Sequence, residues 1–285
     1  MHFGLLSYHT ANLGDFIQSL AARKFLPKVD RYIDREALDE VGPIEGKAVK
    51  LIMNGWFCHR PDKWPPSPSI DPLLISLHIT NNPEPDSEVR AREHFARSPQ
   101  VLRYLQQYGP VGARDHDTLA WLRSFGIDTY YSGCLTLTLE RPAVPKEPFV
   151  VLNDVPEAVA MKVRSATDLP IRHTWHDDTV TVGAEPRLER ATAIVELYAR
   201  ASCVVTTRMH GALPCLAMGT PALLLETAWD PYRFAGLRNL VHHCSVEDFL
   251  SGRVDYDVGN PPSNPATYLP LRAELERSAT AFTKG

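Results

Sequence analysis

The residue types best suited to chemistry lie in the stretch Ala201–Glu226, ASCVVTTRMHGALPCLAMGTPALLLE. An apolar run ends at Thr206 and Thr207, Arg208, Met209 and His210 follow at the turn, and Gly211 opens a short helix that Gly219 closes. This spacing places Arg208 and His210 at the carboxyl end of a strand, beside a helix N-terminus. Unsatisfied amides and the helix dipole favour an anion there. The Arg208 guanidinium is a planar fork matched to carboxylate or phosphate, and His210 can exchange protons near neutral pH. The plainer alternative is an arginine that caps a loop carbonyl and a histidine satisfied in the core. Arg-x-His at a strand end favours the functional reading.

Two further stretches carry polar residues to strand ends. In SYHTANLGDFIQSLAARKFLP, residues 7–27, the first strand delivers His9, Asn12, Gly14 and Asp15 to the start of the first helix. Gly14 permits a tight turn and Asp15 is expected as the helix N-cap, so capping and ligand binding stay equally open for Asp15. Asn12 and His9 are not needed for the turn and stand as binding candidates. In VGARDHDTLAWLRSFG, Arg114 ends a strand and Asp115 begins a helix. Arg114 is therefore either a second anion clamp or a partner for Asp115 or Asp117. Asn54, Cys58, His59 and Arg60 follow a strand, as does His78. They line the rim of a cleft or express ordinary loop polarity.

Other patterns point away from chemistry. His173 and His176, and the adjacent His242 and His243, have no carboxylates or cysteines spaced around them for a metal, and they read as solvated loop histidines. No metal and no cofactor is expected. The chain contains no G-x-S-x-G, P-loop, G-x-G-x-x-G or EF-hand pattern, which argues against a serine hydrolase, a P-loop NTPase and a common dinucleotide enzyme.

These residues need strands and helices to hold them. Strands are predicted over 2–8, 49–53, 73–78, 110–113 and from 129, with helices over 15–25, 100–108 and 116–125. Proline-dense residues 61–72 are expected as loop and are a candidate lid. RPAVPKEP, residues 141–148, marks a boundary, giving domains 1–145 and 146–285. A second series follows, with strands at 149–153, 203–206 and 222–225 and helices at 157–165, 187–200 and 211–218. A last helical pattern over 270–284 has the potential to pack back on the N-terminal domain. Strands alternating with helices predict an α/β protein with two parallel sheets, each covered on both faces. Such domains bind ligands at the carboxyl ends of their strands, in a cleft.

Composition narrows the class further. The 285 residues carry 30 basic and 34 acidic side chains, for a net charge of −4, which argues against a surface built to bind polyanions as a whole. No apolar run reaches the roughly 20 residues of a membrane helix. The first residues, MHFGLLSYHT, lack the basic region of a secretory signal. Cys58, Cys134, Cys203, Cys215 and Cys244 are odd in number and scattered, so a reduced, cytoplasmic protein is expected.

In this order, the three stretches resemble the polysaccharide pyruvyl transferase family. The resemblance rests on Asn12-Leu13-Gly14-Asp15 with Gln18, on Gly112-Ala113-Arg114-Asp115 running to Gly126-Ile127, and above all on Thr207-Arg208-Met209-His210-Gly211-Ala212 with Gly219-Thr220-Pro221. It spans roughly residues 3–226 but is dense only in these motifs. Met209 stands where leucine is commoner. Ser132-Gly133-Cys134-Leu135 departs from the acidic residue that many members carry after the glycine, which bears on acceptor or leaving-group contacts.

The resemblance implies two Rossmann-like domains in a GT-B-like arrangement with the active-site cleft between them. It also implies transfer of the pyruvyl group of phosphoenolpyruvate to two sugar hydroxyls as a ketal, in exopolysaccharide or cell-surface glycan synthesis. On that basis Arg208 and Arg114 would bind donor anion, with amides near Gly211 and Ala212 assisting. His210 would act as general acid and base, with Arg208 and Asp15 as the other catalytic candidates; Asp15 or Asn12 would orient the acceptor, and His9, Asn54 and His78 would help to bind it. That acceptor is a sugar, a nucleotide sugar or a lipid-linked glycan, the last bringing the protein to the inner membrane face; no nucleic acid partner is implied. Two rival readings remain: a GT-B nucleotide-sugar glycosyltransferase, and a non-catalytic anion- or sugar-binding relative.

Overall fold

In a computed structural model describing residues 1–80, 90–227 and 234–285, the apolar runs form two parallel sheets. In chain order the first elements are β1 (His2–Ser7), α1 (Leu13–Arg23), β2 (Arg31–Asp34), β3 (Val49–Trp56), β4 (Ile70–His78), α2 (Ala91–Arg97), α3 (Pro99–Gln107), β5 (Val111–Ala113), α4 (His116–Arg123) and β6 (Thr129–Tyr131). The second series is β7 (Val150–Asn153), α5 (Glu157–Ala166), β8 (Ile171–Thr174), α6 (Ala184–Arg200), β9 (Cys203–Thr206), α7 (Met209–Met218), β10 (Ala222–Glu226), β11 (His242–Ser245), α8 (Val246–Ser251) and α9 (Leu269–Lys284). One sheet has the order β2-β1-β3-β4-β5-β6 and the other β11-β10-β9-β7-β8. The protein is thus mixed α/β with two Rossmann-like parallel sheets.

Two compact units contain these sheets. The first comprises Met1–His9, Ala21–Leu135 and Ala273–Gly285; the second comprises Thr10–Leu20 and Thr136–Arg272. The start of α1, which carries Asn12, Gly14 and Asp15 around it, therefore folds with the second unit although it follows the first strand in sequence.

Burial explains which strands were legible. β7 and β9 are buried along their whole length, as a parallel sheet covered on both faces requires. In the second unit Val150, Leu152, Val205, Leu223 and Leu225 pack with Val159 and Val163 of α5 and Phe249 of α8. The unpredicted strands β2, β8 and β11 lie at sheet edges and are only partly buried, so they lack a continuous apolar run.

The proline-dense segment 61–72 is a packed connection rather than a lid. Trp64 is buried, with its ring centroid 5.4 Å from that of Phe57, 5.0 Å from that of Phe95 and 6.0 Å from that of Tyr104. Its last residues belong to β4, where Pro72 lies opposite Leu51 of β3. Proline is tolerated there because β5 pairs with β4 only at Leu77, leaving Pro72 a strand neighbour on one side. Among the described residues no helix is long and apolar enough to cross a membrane.

Candidate active site

The second sheet reverses direction between β7 and β9, because β8 lies beyond β7 and β10 beyond β9. Carboxyl ends of strands at such a switch point are where open α/β sheets bind ligands. Asp154 leaves β7 there in a left-handed conformation, with φ 51°, and Arg208 leaves β9 as the residue that caps α7. The Thr206 hydroxyl ties the two ends together, accepting the Arg208 N–H at 2.9 Å and donating to Asn153 Oδ1 at 2.8 Å. The Arg208 side chain is 43% exposed and its Nε lies 3.1 Å from Asp154 Oδ2. Its guanidinium is thus fixed at the site while part of it still faces solvent.

Gly211 has a steric duty rather than a ligand-binding one. A Cβ there would sit 2.6 Å from Thr206 Oγ1 and 2.7 Å from Asn153 Oδ1, so only glycine lets α7 approach the strand ends. The amides of Gly211 and Ala212 both donate to the Arg208 carbonyl, at 3.0 and 3.1 Å. This corrects the expectation that these two would assist an anion. The helix amides with no intrahelical acceptor are the two before them, those of Met209 and His210.

A cavity of about 260 Å³ opens beside this turn, lined by Asn12, His176, Thr207, Arg208 and His210, with Met209, Thr227 and Phe234 completing its wall. His210 is buried, 3% exposed, at the start of α7. Asn12 reaches the cavity because its segment pairs with residues 176–178. The Leu13 N–H donates to the His176 carbonyl at 2.7 Å, and the Asp178 N–H to the Ala11 carbonyl at 2.8 Å. Asn12 Oδ1 also accepts the Gly14 N–H at 3.0 Å. Asn12, not Asp15, therefore caps α1. Asp15 sits inside the first turn, where it accepts from Thr10 Oγ1 at 3.0 Å and Gln18 Nε2 at 3.2 Å. His9 is not brought to this cavity: it belongs to the first unit, its side chain is 84% exposed, and it pairs with Asp34 at 3.0 Å.

His176 corrects the sequence reading most clearly. It is 1% exposed rather than solvated. Its Nε2 lies 2.9 Å from the buried Tyr198 hydroxyl, and its backbone N–H donates to Asp154 Oδ2 at 3.0 Å. His173, His242 and His243 lie in the edge strands β8 and β11 rather than in loops. Sequence reasoning also passed over Asn153 and Asp154. The available signal was positional, since both stand where β7 ends, as Arg208 does for β9. His176 gave less warning because β8 was not recognised.

In the first unit, Arg114 is completely buried at the end of β5, and none of its three guanidinium nitrogens has a hydrogen-bond partner among the described residues. Both carboxylates proposed as its partners are engaged elsewhere. Asp117 binds Arg92 at 2.6 Å. Asp115 accepts the Thr118 N–H at 2.8 Å, capping α4, and meets His78 Nδ1 at 2.5 Å. Burial pushes the Asp115 carboxyl up, but His78 and Arg114 together outweigh it and hold Asp115 below its ordinary range. His78 and Asn54 are buried rather than rim residues, and Asn54 lies within β3 rather than after it. Ser132, the first residue of the segment that departs from the family pattern, is structural. Its Oγ accepts the Ser76 N–H at 3.1 Å and donates to the Ala113 carbonyl at 3.0 Å, locking the point where Ser76 takes φ 55°. A hollow of about 690 Å³ at α2 and α3 is lined by Arg90, Arg97 and Arg103 among others, all exposed. Among the described residues no group of three or more His, Cys, Asp or Glu side chains could hold a metal.

Fold and site together describe a Rossmann-like α/β protein with cationic and proton-exchanging residues at strand ends. A model of the polysaccharide pyruvyl transferase family matches residues 12–228, and the chain belongs to that family. A search of curated proteins found no match. Among solved structures, an uncharacterized protein from Klebsiella pneumoniae subsp. pneumoniae is 11% identical with a TM-score of 0.48, covering 86% of this chain and 92% of its own. The E. coli heptosyltransferase WaaC with ADP is 12% identical with a TM-score of 0.26, covering 98% of this chain and 100% of its own. At these TM-scores neither likeness carries an argument about fold or activity.

Proposed function

We propose that this protein transfers the pyruvyl group of phosphoenolpyruvate to two hydroxyls of a sugar as a ketal, releasing phosphate, in the synthesis of a cell-surface glycan. The observation that carries the reading is the cavity at the start of α7, which places Arg208 beside His210. At about 260 Å³ it has room for a three-carbon anion.

Phosphoenolpyruvate carries a carboxylate and a phosphate. Arg208 takes one of them, trading its contact with Asp154 for the donor. The enol carbon must gain a proton to make the neighbouring carbon electrophilic, and His210 is the general acid and base for that step. Asn12 orients the acceptor, while Asp15 holds the segment carrying Asn12 through Thr10 and Gln18.

The test is thermal unfolding of wild type and Arg208→Ala with phosphoenolpyruvate, inorganic phosphate or a nucleoside diphosphate. A ligand at 100 times its Kd stabilises by about 2.7 kcal/mol, and about 2–4 °C per kcal/mol is expected at this size. A rise with phosphoenolpyruvate that Arg208→Ala loses is the expected result. A rise with the nucleotide alone overturns the donor assignment in favour of a glycosyltransferase.

A further inference from the structure

His176 lies in the described cavity and has no role in the reaction as set out above, yet the fold positions it with care. Three elements fix it. Its carbonyl accepts from Leu13, its amide donates to Asp154, and its Nε2 meets the hydroxyl of Tyr198 in α6. Tyr198 is completely buried, and burial drives its phenol well above the ordinary tyrosine range, so it stays neutral and bonds as an O–H group. That contact occupies Nε2, so Nδ1 is the ring nitrogen turned toward Gly14.

Gly14 shows where that atom points. A Cβ on Gly14 would lie 3.0 Å from His176 Nδ1, 3.1 Å from His210 Nδ1 and 2.9 Å from Asn12 Oδ1. The Nδ1 atoms of two buried histidines therefore face the same small volume, and both rings line the same cavity.

We propose that His176 is a second catalytic proton carrier of this site, acting alongside His210. This rests on the pyruvyl-transfer reading. In that reaction one acceptor O–H breaks as its oxygen bonds to C2 of phosphoenolpyruvate, and C3 takes a proton to become a methyl group. A second O–H then breaks as its oxygen bonds to C2, the C2–O bond to phosphate breaks, and the second proton leaves on the phosphate. Two protons move and no oxidant or reductant is needed. His210 serves the protonation at C3, and His176 takes the second hydroxyl proton and passes it to the departing phosphate. Tyr198, which meets His176 Nε2 through its hydroxyl, is a positioning residue.

The experiment compares wild type, His176→Gln, His210→Gln and Tyr198→Phe. Each is assayed for stabilisation by phosphoenolpyruvate, for phosphate release with a panel of methyl glycosides bearing free diols, and for deuterium uptake at C3 of recovered phosphoenolpyruvate in D2O. His176→Gln should keep donor stabilisation and C3 exchange while phosphate release falls by roughly 100-fold or more. His210→Gln should lose both exchange and release. Tyr198→Phe should lower release several-fold with donor binding unchanged.

Phosphate release from folded His176→Gln within about threefold of wild type overturns the proposal, as does parallel loss of exchange and release. Should His176→Gln fail to fold, ¹⁵N-histidine spectra of the wild type decide. The His176 ring must shift when phosphoenolpyruvate and acceptor are added, and an unchanged resonance overturns the assignment. A wild type that neither responds to phosphoenolpyruvate nor releases phosphate removes the underlying function as well. A wild type that does both while His176→Gln also does removes only this inference.

Discussion

Arg114→Met tests whether a buried arginine with no hydrogen-bond partner among the described residues costs stability. The guanidinium is fully buried, none of its nitrogens has a hydrogen-bond partner among the described residues, and Asp115 and Asp117 are committed to His78 and Arg92. A buried polar group left unsatisfied costs about 1–3 kcal/mol, more when charged, and an uncompensated buried charge about 3–5 kcal/mol. Methionine keeps most of the chain's length and apolar contact while removing the charge. Asp115 loses a favourable neighbour, but His78 still holds it at 2.5 Å. The variant alone should therefore be more stable than wild type by about 1–3 kcal/mol, a rise of roughly 2–4 °C for each kcal/mol. The shift is read by circular dichroism or dye fluorescence. An Arg114→Met protein that melts several degrees lower than wild type would refute the reasoning, and would make Arg114 a structural residue.

Three further outcomes follow from the same geometry. Gly211→Ala should destabilise by about 1–3 kcal/mol through overpacking against Thr206 and Asn153, although helix propensity alone predicts a gain of about 1 kcal/mol; a raised Tm would sink the steric argument. His210→Gln should retain stabilisation by phosphoenolpyruvate while turnover falls by roughly 10²–10⁴-fold, and unchanged turnover in a product assay would remove His210 from the chemistry. The Thr181 amide and hydroxyl, with the Val180 amide, hold Asp178 at about 2, down from 3.8. Its folded-state value is depressed, so its stabilisation is present above pH 3.8 and is lost as pH falls toward 2. The stability gap between wild type and Asp178→Asn in urea titrations should accordingly shrink over that window.

Much of this protein is written locally. Apolar runs such as CVVT and VVLN identify the buried strands β9 and β7, because a parallel sheet covered on both faces tolerates little else. The strand–Arg-x-His–Gly–helix pattern likewise located Arg208 and His210, since strand ends and helix starts are set by neighbouring residues. The edge strands β2, β8 and β11 escaped because half-exposed four-residue segments carry no distinctive period.

What only the tertiary structure decided is which polar residues share a volume. Nothing local joins Asn12 to His176, which meet because residues 11–13 hydrogen-bond to residues 176–178. Nor does the sequence distinguish His176, buried against Tyr198, from His9, exposed beside Asp34. The sequence leaves Arg114 open between an anion clamp and a partner for Asp115 or Asp117, and the fold commits Asp115 to His78 and Asp117 to Arg92. Strand and helix formation depend on neighbours a few residues away, and the sequence contains those neighbours. Burial and pairing of charge depend on groups tens of residues apart, and those distances exist only once the sheets have formed.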